Sequence, residues 1–189
     1  MIEEADGTAC STHTQSLAAD PERRPRRVSP YVLDPAVLPD HIDALYRAAW
    51  ALSGSRQDAE DLVQSTFLNV LKRPRIIRDG NERGYLLRAL RNTYATRYRT
   101  MARRPATVPL LDQDLAHEDD PEAVSAREIM EAVASAPALY RDAVIAVDIL
   151  GLSYREAARC LHAREATITS RVHRGRQHIA AELDRLGAH

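Results

Sequence analysis

Aromatic side chains are scarce in this sequence. Trp50 and Phe67 are single occurrences, and with the tyrosines they make up 5% of 189 residues. Any packed interior must therefore rest on Ala, Leu, Val and Ile, which a hydrophobic content of 44% can supply. Cysteine is nearly absent too. Cys10 and Cys160 lie far apart and make no disulfide framework, which suits a reducing compartment. No apolar run approaches the roughly 18 residues needed to span a bilayer, so membrane insertion is not expected. The opening "MIEEADGTACSTHTQ" is acidic and polar, unlike a signal peptide. A cytoplasmic protein is the expectation. The sequence also lacks a glycine-rich phosphate loop, a nucleophile elbow and paired catalytic carboxylates. Cys10 with His13, and Cys160 with His162, each give only a fragment of a four-ligand metal site. No catalytic residue, metal or cofactor is expected, and an enzyme is not the reading.

What is present is segregated charge. The overall balance of −1 conceals it. From Leu71 to Arg104 eleven bases face two acids, Asp79 and Glu82, for a net of +9. From Asp112 to Glu131 eight acids face Arg127 alone, for a net of −7. Screening over roughly 8–10 Å at physiological salt lets such patches act locally, so a near-neutral total is compatible with a nucleic-acid partner.

Residues 1 to about 38 carry Pro21, Pro25, Pro30 and Pro35 with little apolar periodicity, and read as a disordered arm. Helical spacing follows. Ile42, Leu45, Tyr46, Ala49, Trp50 and Leu52 make a first stripe, beginning near Asp40. After "SGSRQ", Ala59, Leu62, Val63, Phe67, Val70 and Leu71 make a second, with Asp58, Glu60, Asp61, Gln64 and Ser65 off it. Acids in the first turns suit the helix dipole. "RPRIIRDGNERG" interrupts. A third helix, "YLLRALRNTYATRYRTMARR", has Leu86, Leu90, Tyr94, Tyr98 and Met101 near one side, arginines on the rest, and Pro105 as a stop. Ala106 to about residue 124 reads as an acidic linker. A second helical unit then runs to the C-terminus. No strand alternation is evident, so the expected fold class is all-α with two small domains.

Within the second unit, Gly151 ends one helix and Ser153 with Glu156 matches a capping box. "HARE" makes a short turn. Beyond it Ile168, Val172, Gly175 and Ile179 recur as a buried stripe, leaving Thr167, Ser170, Arg171 and Arg174 off it. Two helices joined in this way suggest a helix-turn-helix. Short hydroxyls allow close approach to a groove, and arginine pairs with phosphates or guanine edges.

These motifs together resemble the extracytoplasmic-function (ECF) group of bacterial RNA polymerase sigma factors. That group shows D-A-E-D-L-V-Q-x-T-F where this chain has "DAEDLVQSTF", Asp58 to Phe67. Its R-x-W-L-x-x-I-A-R-N falls at "RGYLLRALRN", Arg83 to Asn92. Its G-L-S-Y-x-E-I-A and T-V-K-S-R-x-H-R-A fall at "GLSYREAA" and "TITSRVHRG". The resemblance covers residues 40–105 and 125–185, which divides the chain into an arm (1–38), a region 2-like domain (39–105), a linker (106–124) and a region 4-like domain (125–189). It implies docking on the clamp of the polymerase largest subunit through Asp61 and Gln64, with Asp58 and Glu60 beside them. It implies −10 contacts from Arg88, Arg91, Asn92, Tyr94, Arg97 and Tyr98, with a base-accepting loop over residues 74–81. It implies −35 contacts from Arg171 and Arg174, with Thr167, Ser170 and His173 as neighbours. The implied partners are core polymerase and promoter DNA. Members of the group are often held by anti-sigma factors, though nothing in the sequence identifies one.

The sequence departs from the pattern at three places. Tyr85 replaces a tryptophan, Ala158 replaces a larger apolar residue, and His162, Ala163 and Arg164 replace the turn's usual glycine, apolar residue and proline. The linker could lie along positively charged polymerase channels or fold back on the basic third helix. A stand-alone helix-turn-helix regulator, binding an operator without polymerase, is the alternative; it gives "DAEDLVQSTF" no task.

Overall fold

The computed structural model describes residues 29–77, 80–102 and 121–187. The expectations for residues 1–28, for most of the linker and for Pro105 lie outside these. The first helix, α1 (Ile42–Ser53), ends on Gly54 at φ 77°, whose N–H donates to the Trp50 carbonyl at 2.8 Å. Glycine fits this left-handed cap because it carries no Cβ to clash. Ser55 then caps α2 (Arg56–Lys72) by accepting the Asp58 N–H. The third helix, α3 (Glu82–Ala102), starts three residues before the expected Tyr85, because the buried Asn81 side chain accepts the Gly84 N–H at 2.6 Å.

The second unit begins with α4 (Pro121–Ser135), ahead of the expected boundary near residue 125. Proline suits a first helical turn, having no N–H to leave unpaired. Next comes α5 (Ala138–Val144), which runs on into a π turn over Ile145–Ile149. The Leu150 N–H reaches back to the Ile145 carbonyl and Leu152 to Ala146, both at 3.0 Å. Gly151, at φ 66°, turns the chain into α6 (Tyr154–Cys160). The expected capping box is present: Ser153 and Glu156 each bond the other's backbone. After a four-residue turn, α7 (Glu165–Gly187) follows.

Two expectations are corrected. Residues 29–38 belong to the fold rather than to a disordered arm. Tyr31–Val32 (β1) pairs antiparallel with Ile76–Ile77 (β2), and a 3-10 helix spans Pro35–His41 under the Asp34 cap. Leu33 and Leu38 are buried, and Glu82 at the start of α3 accepts bonds from Tyr31 Oη and His41 Nε2 at 2.8 and 3.1 Å. The prolines limit the freedom of the unfolded chain without hindering these contacts. The fold remains all-α apart from this two-residue ladder.

The apolar stripes also differ in detail. Ile42 and Leu71 are exposed, whereas Leu87 is fully buried beside Leu86 and Leu90. The reason is that α3 is covered twice, by α1 and α2 and again by α6. The same holds for α1, whose residues Ala48 to Leu52 are all buried, because it packs on α2, α3, α4 and the π turn. In the second unit α7 is the hub, packing on α4, α5 and α6. Its expected stripe is buried at Ile168, Val172 and Gly175 and half-buried at Ile179.

Gly175 is where α7 crosses α5. A Cβ there would lie 2.6 Å from Val144 Cγ2 and 3.3 Å from the Tyr140 carbonyl. Gly175→Val should therefore cost about 1–3 kcal/mol through overpacking. Urea unfolding should show a lowered midpoint, whereas an exposed neighbour such as Gln177→Ala should leave it in place.

Candidate nucleic-acid interface

The helix-turn-helix is formed by α6, residues 161–164 and α7. Its turn carries no glycine, yet His162 adopts φ 52°, the left-handed region that glycine usually supplies. The Ala163 N–H closes the turn on the Ala158 carbonyl at 3.0 Å. The departure from the family pattern therefore leaves the turn geometry intact but loads it with a non-glycine residue. Ala158 is buried, with Ala157 and Cys160 beside it.

The exposed side of α7 lines a groove of about 480 Å³. Thr167, Ser170, Arg171 and Arg174 all lie in it, as the sequence pattern implies. His173 is exposed but does not line it. Leu139 and Tyr140, at the start of α5, Arg164, in the turn, and Ala166, in the first turn of α7, complete the lining and were missed. No local spacing signals them, since Tyr140 reaches the groove by accepting a bond from Arg174 across 34 residues. Three guanidinium groups with two short hydroxyls make a surface suited to a duplex groove and its phosphates. Arg176, by contrast, points elsewhere. It bonds both oxygens of Asp148, at 3.1 and 2.6 Å, and these bonds and the carboxylate's charge raise its pKa above the ordinary value.

On α2, Glu60, Asp61 and Gln64 are exposed and Asp58 is half-exposed. Asp58 and Asp61 share one partner: Arg97 Nη2 of α3 lies 2.8 Å from the first and 3.3 Å from the second. Leu68 lies a further turn along from Gln64 and is 49% exposed.

The six −10 candidates on α3 do not form one surface. Arg91 is turned to the second unit, with Nη2 at 2.6 Å from Asp142 Oδ2, whereas Arg97 is turned to α2. Tyr94 and Tyr98 lie near each other, with ring centroids 6.4 Å apart and Tyr98 largely exposed. Asn92 is exposed and Arg88 half-buried. In the loop over residues 74–81, Ile76 is exposed and Ile77 buried, and Asn81 is used as the cap of α3. Arg78 and Asp79 lie outside the described residues.

The described residues are helical apart from one two-residue ladder, with a helix-turn-helix in the second unit and exposed carboxylates on α2 in the first. The model of sigma-70 region 2 matches residues 39–104, and that of sigma-70 region 4 matches residues 126–179. The ECF RNA polymerase sigma factor SigE of Mycolicibacterium smegmatis is 36% identical over 146 residues, which are 74% of this chain and 57% of that protein. SigM of Mycobacterium tuberculosis is 31% identical over 144 residues, 76% of this chain and 73% of the relative. The solved structure of the sigma factor RpoE in complex with the anti-sigma factor NepR from Bartonella quintana aligns with a TM-score of 0.58 at 25% identity, covering 79% of this chain and 94% of that one. The chain belongs to the sigma-70 family, in its ECF group of RNA polymerase sigma factors.

The strained turn yields a direct test. His162→Val should destabilise the fold by about 1–3 kcal/mol, because a β-branched side chain resists positive φ. His162→Gly should be neutral or stabilising, since glycine adopts that conformation freely. Thermal unfolding of the two variants beside wild type checks both signs.

Proposed function

We propose that the chain binds core RNA polymerase and directs it to particular promoters. In this reading α7 reads the duplex −35 element through Arg171, Arg174, Thr167 and Ser170. Arg164 and Tyr140 flank the contact. Arg88, Arg91, Asn92, Tyr94, Arg97 and Tyr98 of α3 serve the −10 element, where arginines neutralise phosphates and tyrosines offer faces to unstacked bases. Asp61 and Gln64 of α2, with Asp58 and Glu60 at the margins, dock on the clamp of the largest polymerase subunit. Acidic and amide groups on a rigid helix complement a basic partner.

The single observation that carries this reading is that the exposed acidic face of α2 and the cationic groove of α7 occur in one chain. A stand-alone regulator needs the groove and has no use for the acidic face. Catalysis belongs to the polymerase, and this chain supplies binding energy and specificity. It works in the cytoplasm, and no described helix is long and apolar enough to cross a membrane. The B. quintana relative is seen with an anti-sigma factor, and we extend that class of partner to this chain.

Size-exclusion chromatography with core polymerase tests the docking. Wild type should co-elute with core, and Asp61→Lys, folded by circular dichroism, should not. Co-elution of both would remove α2 from the interface. Arg171→Ala and Arg174→Ala should each weaken promoter binding by the holoenzyme by about 1–3 kcal/mol where the contact is to a base edge. A phosphate contact should instead lower the salt slope by about one. A salt titration of promoter affinity separates the two.

A further inference from the structure

The ladder between β1 and β2 ties the candidate −10 loop to residues that precede the region 2 domain. Tyr31 pairs with Ile77, and Val32 with Ile76. Neighbouring residues of a strand face opposite sides, so this register puts Tyr31 and Ile77 on one face and Val32 and Ile76 on the other. Ile77 is 2% exposed and faces the interior, whereas Val32 is 51% and Ile76 58% exposed. Directly opposed residues in such a ladder have Cβ atoms about 5 Å apart. The outer face is thus one aliphatic pair rather than two scattered side chains. Lys72, Arg73 and Arg75, on the approach to Ile76, are all exposed.

A two-residue ladder has no stability of its own. It is held from outside. Leu33 and Leu38, shortly after β1, are buried. At the start of α3, Glu82 Oε1 accepts from Tyr31 Oη at 2.8 Å, and Glu82 Oε2 lies 3.1 Å from His41 Nε2. One carboxylate therefore fastens both ends of the 31–41 segment to the helix that carries the −10 candidates. The far end of the loop is fixed by Asn81, which caps that same helix. Ile76 is presented on a framed loop with Val32 beside it.

We propose that residues 31–41 are part of the −10 site: Val32 and Ile76 form the apolar face against which an unstacked −10 base lies, and Glu82 is the positioning residue that holds β1, through Tyr31, in register with the loop. This rests on the sigma reading above and extends it to residues outside the region 2 match, which begins at residue 39. A nucleobase fits the surface. Its faces are apolar, flipped bases are held between apolar side chains, and its strand carries phosphates that Lys72, Arg73 and Arg75 can neutralise. A partner helix needs a longer apolar stripe than two aliphatic side chains supply. For a single base they suffice.

Holoenzyme assembled from the full chain and core polymerase is titrated with a forked promoter probe whose −10 strand is unpaired. The probe carries either the native base or an abasic site at each −10 position in turn. Wild type should lose affinity at one abasic position, that of the captured base. Val32→Ala should bind the native probe about fivefold more weakly, a fraction of one stacked base, and should lose nothing more at that abasic position. Equal weakening on native and abasic probes would set Val32 against polymerase or the DNA backbone and overturn the proposal, as would an unchanged affinity for the native probe. Tyr31→Phe tests the positioning. It should speed amide exchange at residues 76 and 77 about fivefold, the scale of one hydrogen bond, and weaken native-probe binding while co-eluting with core as wild type does. Glu82→Gln keeps an acceptor for Tyr31 and should match wild type in both measurements. Unchanged exchange in Tyr31→Phe overturns the positioning role. A wild type that binds core but is indifferent to every abasic site overturns the proposal and leaves docking standing. A wild type that fails to bind core overturns the sigma reading and this proposal with it.

Discussion

The structure depends on the double burial of α1. A helix apolar on one stripe needs one neighbour, but Ala48, Ala49, Trp50, Ala51 and Leu52 are buried in succession, so α1 must be covered from both sides. One cover is α2 with α3; the other is α4 with the π turn. The small side chains let these elements approach closely, which suits a chain with so few aromatics. Trp50, the larger of the two rings in α1, is covered on its face by the Arg56 guanidinium, 4.7 Å from the ring centroid. The same helix thus belongs to the interior of the first unit and to the junction with the second.

That sharing gives the candidate DNA surfaces different characters. The candidate −35 groove is open, and among the described residues Arg174 meets Tyr140, a neutral partner that orients it without satisfying its charge. Two of the six −10 candidates are already paired. Arg91 is held by the second unit, and Arg97 by the two α2 carboxylates that are candidates for polymerase docking. The Arg97 contacts are exposed and of the kind worth less than about 1 kcal/mol, so a polymerase cation can replace one partner and DNA the other. On the proposed roles, docking and DNA contact draw on the same ion pairs.

The helix-turn-helix shows how family geometry survives without the family residue. His162 occupies a glycine conformation because what surrounds it fixes the turn: Ser153 and Glu156 hold α6, Ala158 accepts from Ala163, and Gly175 lets α7 sit against α5. The cost of one left-handed residue is small beside the burial of Ile168 and Val172. Sequence departure at the turn changes local strain and leaves the placement of Arg171 and Arg174 as the pattern implies.

The sequence by itself determined the helices, the capping box at Ser153, the buried stripe of α7 and the groove residues Thr167, Ser170, Arg171 and Arg174. All of these follow from 3.6-residue periodicity and local caps, which act over one or two turns. Composition misjudged residues 29–38, because proline content hid Leu33 and Leu38, whose partners are remote in sequence. The two-residue β1–β2 ladder is too short to show alternation. Only the tertiary structure decided that Arg91 meets Asp142, that Tyr140 enters the groove beside α7, and that α1 and α3 are covered twice. Those outcomes depend on groups 34 to 67 residues apart meeting, as at Arg174–Tyr140 and Arg83–Leu150. Such meetings are set by how whole helices pack, and no local period records them.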